Sequence, residues 1–343
     1  MRMKRIEVAA AIFRRSGRIF LCRRGEGGVC AHLWEFPGGK LEEGETPEAC
    51  LVRECREELQ VDIAIDGLYE QLDYDYPGKA MRFYFFDARI IHGQPQLKVH
   101  TEAKWLWPRE LDSYEACPAD VELIKKLAHE LPFEHYMWDF DGTLFDTYPK
   151  IAAALQSAFA DFDHHVSYEQ VLALTKRSVT YALDTLMERF HTAATLEELI
   201  ARYRHHEGGY SKENAAPLYP GMLELLNEIV RRGGKHYLYT HRGLSSLKYL
   251  EGYGISHLFT DCITSADGFA PKPAPDAVLA LIHKHKMTAG RVVMVGDRDI
   301  DVESAKNAGA FGCFFDPDHF FDDYEIELRA NTVEGLSRLL LGE

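Results

Sequence analysis

The sequence predicts two units in tandem: an α+β unit over residues 1–131, then an open-sheet α/β unit over 132–343 that carries a helical insertion at about 146–218. Two apolar strand-like runs followed by a glutamate-rich helix mark the first unit. Apolar runs that each end in an acid or a hydroxyl mark the second, because open α/β sheets bind ligands at the carboxyl ends of their strands. Between Asp146 and Pro217 the apolar residues recur at helical spacing, as over 151–155 and 196–200, which gives the insertion.

The first unit begins with strands at 6–12 and 18–23, a hairpin turning at Ser16-Gly17. Pro37-Gly38-Gly39 is a turn that lets backbone approach a ligand closely. Thr46 and Pro47 then start a helix, as N-cap and first helical residue. On that helix Glu54, Glu57 and Glu58 stand at i, i+3 and i+4, so they project from one side and repel unless a cation lies among them. Hard oxygen ligands suit Mg²⁺ or Mn²⁺, which usually share their sites with phosphates, so a phosphate ester or anhydride is the expected substrate.

Residues Gly39, Glu45, Arg53, Glu54, Glu57, Glu58 and Val61 match the pattern G-x₅-E-x₇-R-E-U-x-E-E-x-G-U, and the segment resembles the Nudix box. Two positions depart. Cys55 stands for an aliphatic residue and acts as a small hydrophobe, whereas Gln60 stands for glycine and costs roughly 1–2 kcal/mol if that position is left-handed. With Leu33-Trp34-Glu35-Phe36 ahead of the box, the unit is similar to the MutT-like branch, which implies an α/β/α sandwich cleaving nucleoside triphosphates, oxidised ones included, to monophosphate and pyrophosphate. The resemblance implies that Glu54, Glu57, Glu58 and the Gly39 carbonyl hold metal, that Glu45 and Arg53 pair to fix the loop, and that Phe36 contacts substrate. Glu102 is the candidate for a further base from a loop outside the box. Asp120, in Cys117-Pro118-Ala119-Asp120, either reads the nucleobase, where a carboxylate accepts from an exocyclic amine and favours cytosine-like or adenine-like edges without excluding 8-oxoguanine, or caps the helix starting near Val121.

In the second unit, Tyr136-Met-Trp-Asp139-Phe-Asp141-Gly142-Thr143-Leu144 ends an apolar run in Asp-x-Asp-Gly-Thr, with Gly142 and Thr143 bringing backbone toward a phosphate. This resembles motif one of the haloacid dehalogenase-like superfamily, whose core is Rossmann-like. The resemblance makes Asp139 the nucleophile and Asp141 the acid and base, a pair that favours phosphoryl transfer over carbon–halogen cleavage. Further motifs follow in family order: Thr240 to bind the phosphoryl group, Lys272 to balance its charge, Asp297 to hold Mg²⁺, and Asp301 to orient Lys272 or the metal shell. The implied metal set is Asp139, Asp141, Asp297 and Asp301. His241 and Arg242, just past Thr240, are candidate substrate contacts. The insertion reads as a cap that excludes water and sets substrate choice. Its His164, His165, His205 and His206 are expected to be solvated rather than metal ligands. Within the superfamily the pattern is most similar to the phosphoglycolate phosphatase and β-phosphoglucomutase group.

The 343 residues are 46% hydrophobic, enough for a core in each unit, and the net charge of −15 speaks against docking on duplex nucleic acid. Seven cysteines without C-x-x-C spacing suit a reducing cytoplasm. The basic start is followed by an apolar stretch broken by Glu7 and Arg14-Arg15, which argues against a signal peptide, and no run reaches the length of a membrane span. The expectation is a bifunctional, metal-dependent cytoplasmic hydrolase acting on nucleotides and small phosphorylated compounds. The rivals are a nucleotide sensor with one silent domain and, for the second unit, a mutase or pyrophosphatase. The oligomeric state is left open.

Overall fold

A computed structural model describes residues 5–27, 29–209, 211–321 and 323–343; residues 1–4 of the basic start lie outside them. The chain divides into two compact units, one of residues 1–132 with 340–343 and the other of 133–339.

The first unit contains β1 (Ile6–Arg15), β2 (Arg18–Arg24), β3 (Trp34–Glu35), β4 (Gly38–Lys40), α1 (Pro47–Glu54), β5 (Asp62–Tyr76), β6 (Lys79–His92), β7 (His100–Leu106) and α2 (Val121–Ala128). Its seven-stranded sheet runs β3-β2-β1-β6-β5, with β4 on β1 and β7 on β2. The hairpin turns at Ser16 and Gly17, both at positive φ, the geometry that matches strand twist in a two-residue loop. Alternation along β1 sorts side chains to two faces: Ala10 and Ile12 join Phe85 and Leu127 on one, while Ala11 and Phe13 join Leu51 and Leu59 on the other. The sheet is thus covered by α2 on one side and α1 on the other.

Thr46 caps α1, its hydroxyl accepting from Ala49 N at 3.2 Å, with Pro47 at the first helical position. The helix does not keep α-geometry through the acidic run. It passes into a π-helical turn over Cys55–Leu59 and stops at Gln60, which is left-handed at φ 56°, ψ 40°. Three glutamates expected on one regular helix therefore stand on two different kinds of turn, which separates their environments.

The second unit contains β8 (His135–Trp138), α3 (Tyr148–Ala160), α4 (Tyr168–Thr175), α5 (Val179–Phe190), α6 (Leu196–Glu207), α7 (Met222–Arg231), β9 (Lys235–Tyr239), α8 (Ser245–Gly252), β10 (Phe259–Ile263), α9 (Asp276–His285), β11 (Val292–Gly296), α10 (Asp299–Asn307), β12 (Phe311–Phe315), β13 (Arg329–Ala330) and, up to residue 339, α11 (Val333–Leu341). The strands form one parallel sheet in the order β10-β9-β8-β11-β12-β13. Strand β8 lies where the order reverses, the place at which such sheets open a crevice at their carboxyl ends. Helices α3–α6 have an apolar core of their own, built on Leu155, Phe159, Leu183 and Leu186. None of the described helices is long and apolar enough to cross a membrane.

Candidate active sites

In the first unit α1 delivers Glu54 against the backbone of β4. A Cβ on Gly39 would lie 2.2 Å from the Glu54 Cδ, so only glycine admits the carboxylate there. Arg53 joins Glu45 through two bonds of 3.0 Å, and its Nη1 also donates to Glu54 Oε1 at 2.8 Å and Glu57 Oε2 at 3.2 Å. One guanidinium nitrogen thus sits between two carboxylates. Glu57 points outward, its side chain 60% exposed. Glu58 points inward, and its Oε2 is buried with no hydrogen-bond partner. Burial, opposed by His100 and reinforced by Glu54 and Glu35, pushes the Glu58 carboxyl up to about 7. The ligand atoms of the three glutamates do not close into one cluster among the described residues. A buried oxygen without a partner, facing like charges, is nevertheless the donor set a divalent cation would satisfy.

Glu102 lies within β7, opposite Arg23, rather than in a loop. Its half-exposed carboxylate is engaged by Lys104 at 3.0 Å and Arg23 at 3.6 Å, not by the helix glutamates. Strand pairing to β2 captured it.

Phe36, Gly39 and Asp120 line one cavity of about 540 Å³, together with Arg24, Glu35, Tyr76 and Cys117. Asp120 occupies the N-cap position of α2, but its side chain makes no capping bond. Burial, then the adjacent Glu35, raises its carboxyl well above the usual range. A carboxyl that kept its proton there would donate as well as accept. Glu35 is itself gripped by Arg24 at 2.9 and 2.8 Å and by His100 Nε2 at 3.1 Å. Glu35 stood in the Leu33–Phe36 segment without a role assigned to it, and His100 stood in no motif. The short β3 and the bridge Trp34↔Ala116 bring Glu35 to Cys117 and Asp120, a long-range pairing that no local pattern announces.

The second unit gathers its acids more tightly. Asp139 follows β8 directly, its N–H bonded to Val295 O at 2.9 Å. Asp139, Asp297 and Asp301 are all buried, with one ligand atom of each within 4.8 Å of the others. Lys272 Nζ donates to Asp139 Oδ1 and Asp301 Oδ1, both at 2.6 Å, and to Tyr239 O at 2.9 Å. Burial pushes Asp139 up to about 7 against the pull of Lys272, and pushes Asp297 up to about 6. Burial would raise Asp301 too, but Lys272 and Arg298 outweigh it and hold that carboxyl below its ordinary range. Three buried acids, two of them sharing the Lys272 ammonium, fit a divalent cation.

Gly142, at φ +76°, lets the chain pass Asp297, where a Cβ would meet its Oδ2 at 2.5 Å. Thr143 Oγ1 lies 3.5 Å from Asp297 Oδ1, and Tyr148 of α3 donates to Oδ2 at 2.7 Å. Lys176, at the end of α4, is 3.9 Å from the same carboxylate. Thr240 Oγ1 accepts from Arg242 N at 3.0 Å. The structure does not bring Asp141 into the acid cluster; Arg242 Nη1 holds its Oδ1 at 2.7 Å. His241 supports the site from behind, its Nε2 accepting from Lys272 N at 2.9 Å; burial, then Lys272 and Arg298, lowers it to about 4. The cap histidines 164, 165, 205 and 206 belong to neither metal-capable group among the described residues. Tyr148, Lys176, Glu207 and Arg298 reach the site unannounced by any motif.

A family model described as NUDIX domain matches residues 3–127, and one described as haloacid dehalogenase-like hydrolase matches residues 136–314. The chain belongs to both families. Its Nudix half is 39% identical over 131 residues to an 8-oxo-dGTP diphosphatase of Haemophilus influenzae, covering 38% of this chain and 96% of that protein. Its haloacid dehalogenase-like half is 31% identical over 183 residues to a phosphoglycolate phosphatase of Aliivibrio fischeri, covering 50% of this chain and 79% of that protein. The fold of that half is also seen in CbbY from Rhodobacter sphaeroides in complex with phosphate, at TM-score 0.50 and 18% identity over 58% of this chain and 94% of that one. The protein is accordingly a Nudix hydrolase joined to a haloacid dehalogenase-like phosphatase.

Proposed function

We propose that the two halves are two metal-dependent phosphohydrolases, the first cleaving nucleoside triphosphates, oxidised ones included, to monophosphate and pyrophosphate, the second removing phosphate from a small phosphomonoester. The observation that carries this reading is the pair of buried carboxylate sites: Glu58 with an unmet oxygen, and the cluster of Asp139, Asp297 and Asp301, in which Lys272 bonds the first and the last. Glu54, Glu57, Glu58 and the Gly39 carbonyl would hold Mg²⁺ or Mn²⁺ in the Nudix half, as Asp139 and Asp297 would in the other. When bound, such an ion supplies charge neutralisation at phosphate oxygens and a more acidic water.

In the Nudix half the cavity receives the base. Asp120, whose carboxyl burial holds above the usual carboxylate range, offers its side chain to the edge of that base. In the phosphatase half Lys272 takes Asp139 Oδ1 and leaves Oδ2 to attack phosphorus. The bond from phosphorus to the leaving oxygen breaks, Asp141 gives that oxygen a proton, and Asp141 then takes one from the water that hydrolyses the aspartyl-phosphate. Phosphoglycolate, which names the relatives, is one candidate for the second half; the monophosphate and pyrophosphate made by the first are the others. Seven free thiols support a reducing compartment such as the cytoplasm.

Release of phosphate and pyrophosphate from canonical and oxidised triphosphates, phosphoglycolate and nucleoside monophosphates, with Mg²⁺ and with chelator, tests the reading. Glu58→Gln is expected to lower triphosphate cleavage by ~10²-fold or more without touching phosphatase turnover, and Asp139→Asn to do the reverse. If neither change lowers the rate of its own half, the assignment is wrong.

A further inference from the structure

The guanidinium of Arg242 joins Asp141 to the cap. Arg242 donates from Nη1 to Asp141 Oδ1 at 2.7 Å, from Nε to Ser245 Oγ at 3.1 Å, and from Nη2 to Oε1 of Glu207. Its Cζ lies 5.4 Å from the ring centroids of both Phe140 and Tyr249, and its side chain is 10% exposed. Glu207 is the last residue of α6, so it belongs to the cap, whereas Asp141 and Arg242 belong to the core. It is buried and fixed in turn, its Oε2 accepting from Gly209 N at 2.9 Å and its Oε1 lying 3.7 Å from Lys150 Nζ.

A guanidinium offers its donors in a rigid fork and prefers to grip a carboxylate with two of them. Here the fork is split. Because Glu207 occupies Nη2, Arg242 holds Asp141 through Oδ1, and Oδ2 stays outside the grip.

We propose that Glu207 is a positioning residue of the phosphatase half: by occupying one arm of Arg242 it keeps Asp141 singly held, with an oxygen available for proton transfer, so acid assistance to the leaving group depends on the last turn of the cap helix. This rests on the reading of Asp141 as proton donor. Without Glu207, Nη2 is free to close on Asp141, which then loses its available oxygen.

Two probes separate this role from a merely structural one. β-Glycerophosphate expels an alkoxide that needs a proton, while p-nitrophenyl phosphate expels a stable phenolate that does not. The value of kcat/KM, which reports steps up to departure of the leaving group, is measured for Glu207→Gln, Glu207→Ala and Asp141→Asn in the full chain. The Glu207 variants are expected to lose ~10-fold or more on β-glycerophosphate and less than ~2-fold on p-nitrophenyl phosphate, with Asp141→Asn showing the same pattern more strongly. An equal loss on both esters, or no loss on either, in the Glu207 variants while Asp141→Asn retains the selective pattern overturns the role of Glu207 alone. An equal loss on both esters in Asp141→Asn overturns the acid reading, and this inference with it.

Discussion

Single residues carry the first constraints on these sites, and the glycines show it most directly. At Gly39 the space of a side chain is taken by the carboxyl of Glu54. Gly39→Ala should therefore push Glu54 away and suppress triphosphate cleavage while phosphatase turnover is unchanged, which parallel assays of both activities would check. Gln60 poses the opposite case. It adopts a left-handed conformation that glycine takes without strain and glutamine takes at a cost, at a position away from any ligand. Gln60→Gly should raise the stability of the Nudix half by up to about 1 kcal/mol, since relief of the left-handed strain exceeds the added chain entropy; a thermal melt that shifts downward would contradict this.

At the scale of elements, the π-helical turn after α1 decides which acid is buried. It leaves Glu57 in solvent and turns Glu58 inward, where burial lifts its carboxyl to about 7. Between the unfolded value of 4.5 and about 7 the folded chain keeps a proton that the unfolded chain has released. Stability from this group is thus full at low pH and lost as pH rises through 7. Melts of the metal-free protein should show that decline, Glu58→Gln should flatten it, and Mg²⁺ should reverse it by favouring the ionised form. If the Glu58→Gln melt declines as steeply, Glu58 is not the group responsible. Sheet topology governs the second site similarly: the reversal of strand order at β8 places Asp139 in a crevice, and the ends of β9 and β11 bring Thr240 and Asp297 beside it.

Across the whole molecule each unit has its own core, and the phosphatase half carries buried neutral histidines. His236 accepts from Trp138 Nε1 at 2.9 Å and donates to Leu226 O at 3.0 Å, which fixes the neutral tautomer. Burial lowers both His236 and His135 to about 4, below the unfolded value of 6.5. Their contribution is intact above 6.5 and lost as pH falls through that window, because the unfolded state binds protons that the folded state refuses. Calorimetry from pH 7 to pH 4.5 should show the phosphatase transition falling, and His236→Gln should reduce the dependence. The sequence alone determined the order of the units, the strands that end in Asp139, Thr240 and Asp297, and the acids of the helix, since these depend on local periodicity and on motifs a few residues long. Tertiary structure alone decided that Asp120 would be buried beside Glu35, that Glu102 would pair across a strand, and that Arg242 would stand between Asp141 and Glu207. Those outcomes depend on desolvation and on charges brought together from positions tens of residues apart, and a chain carries no local record of either until it folds.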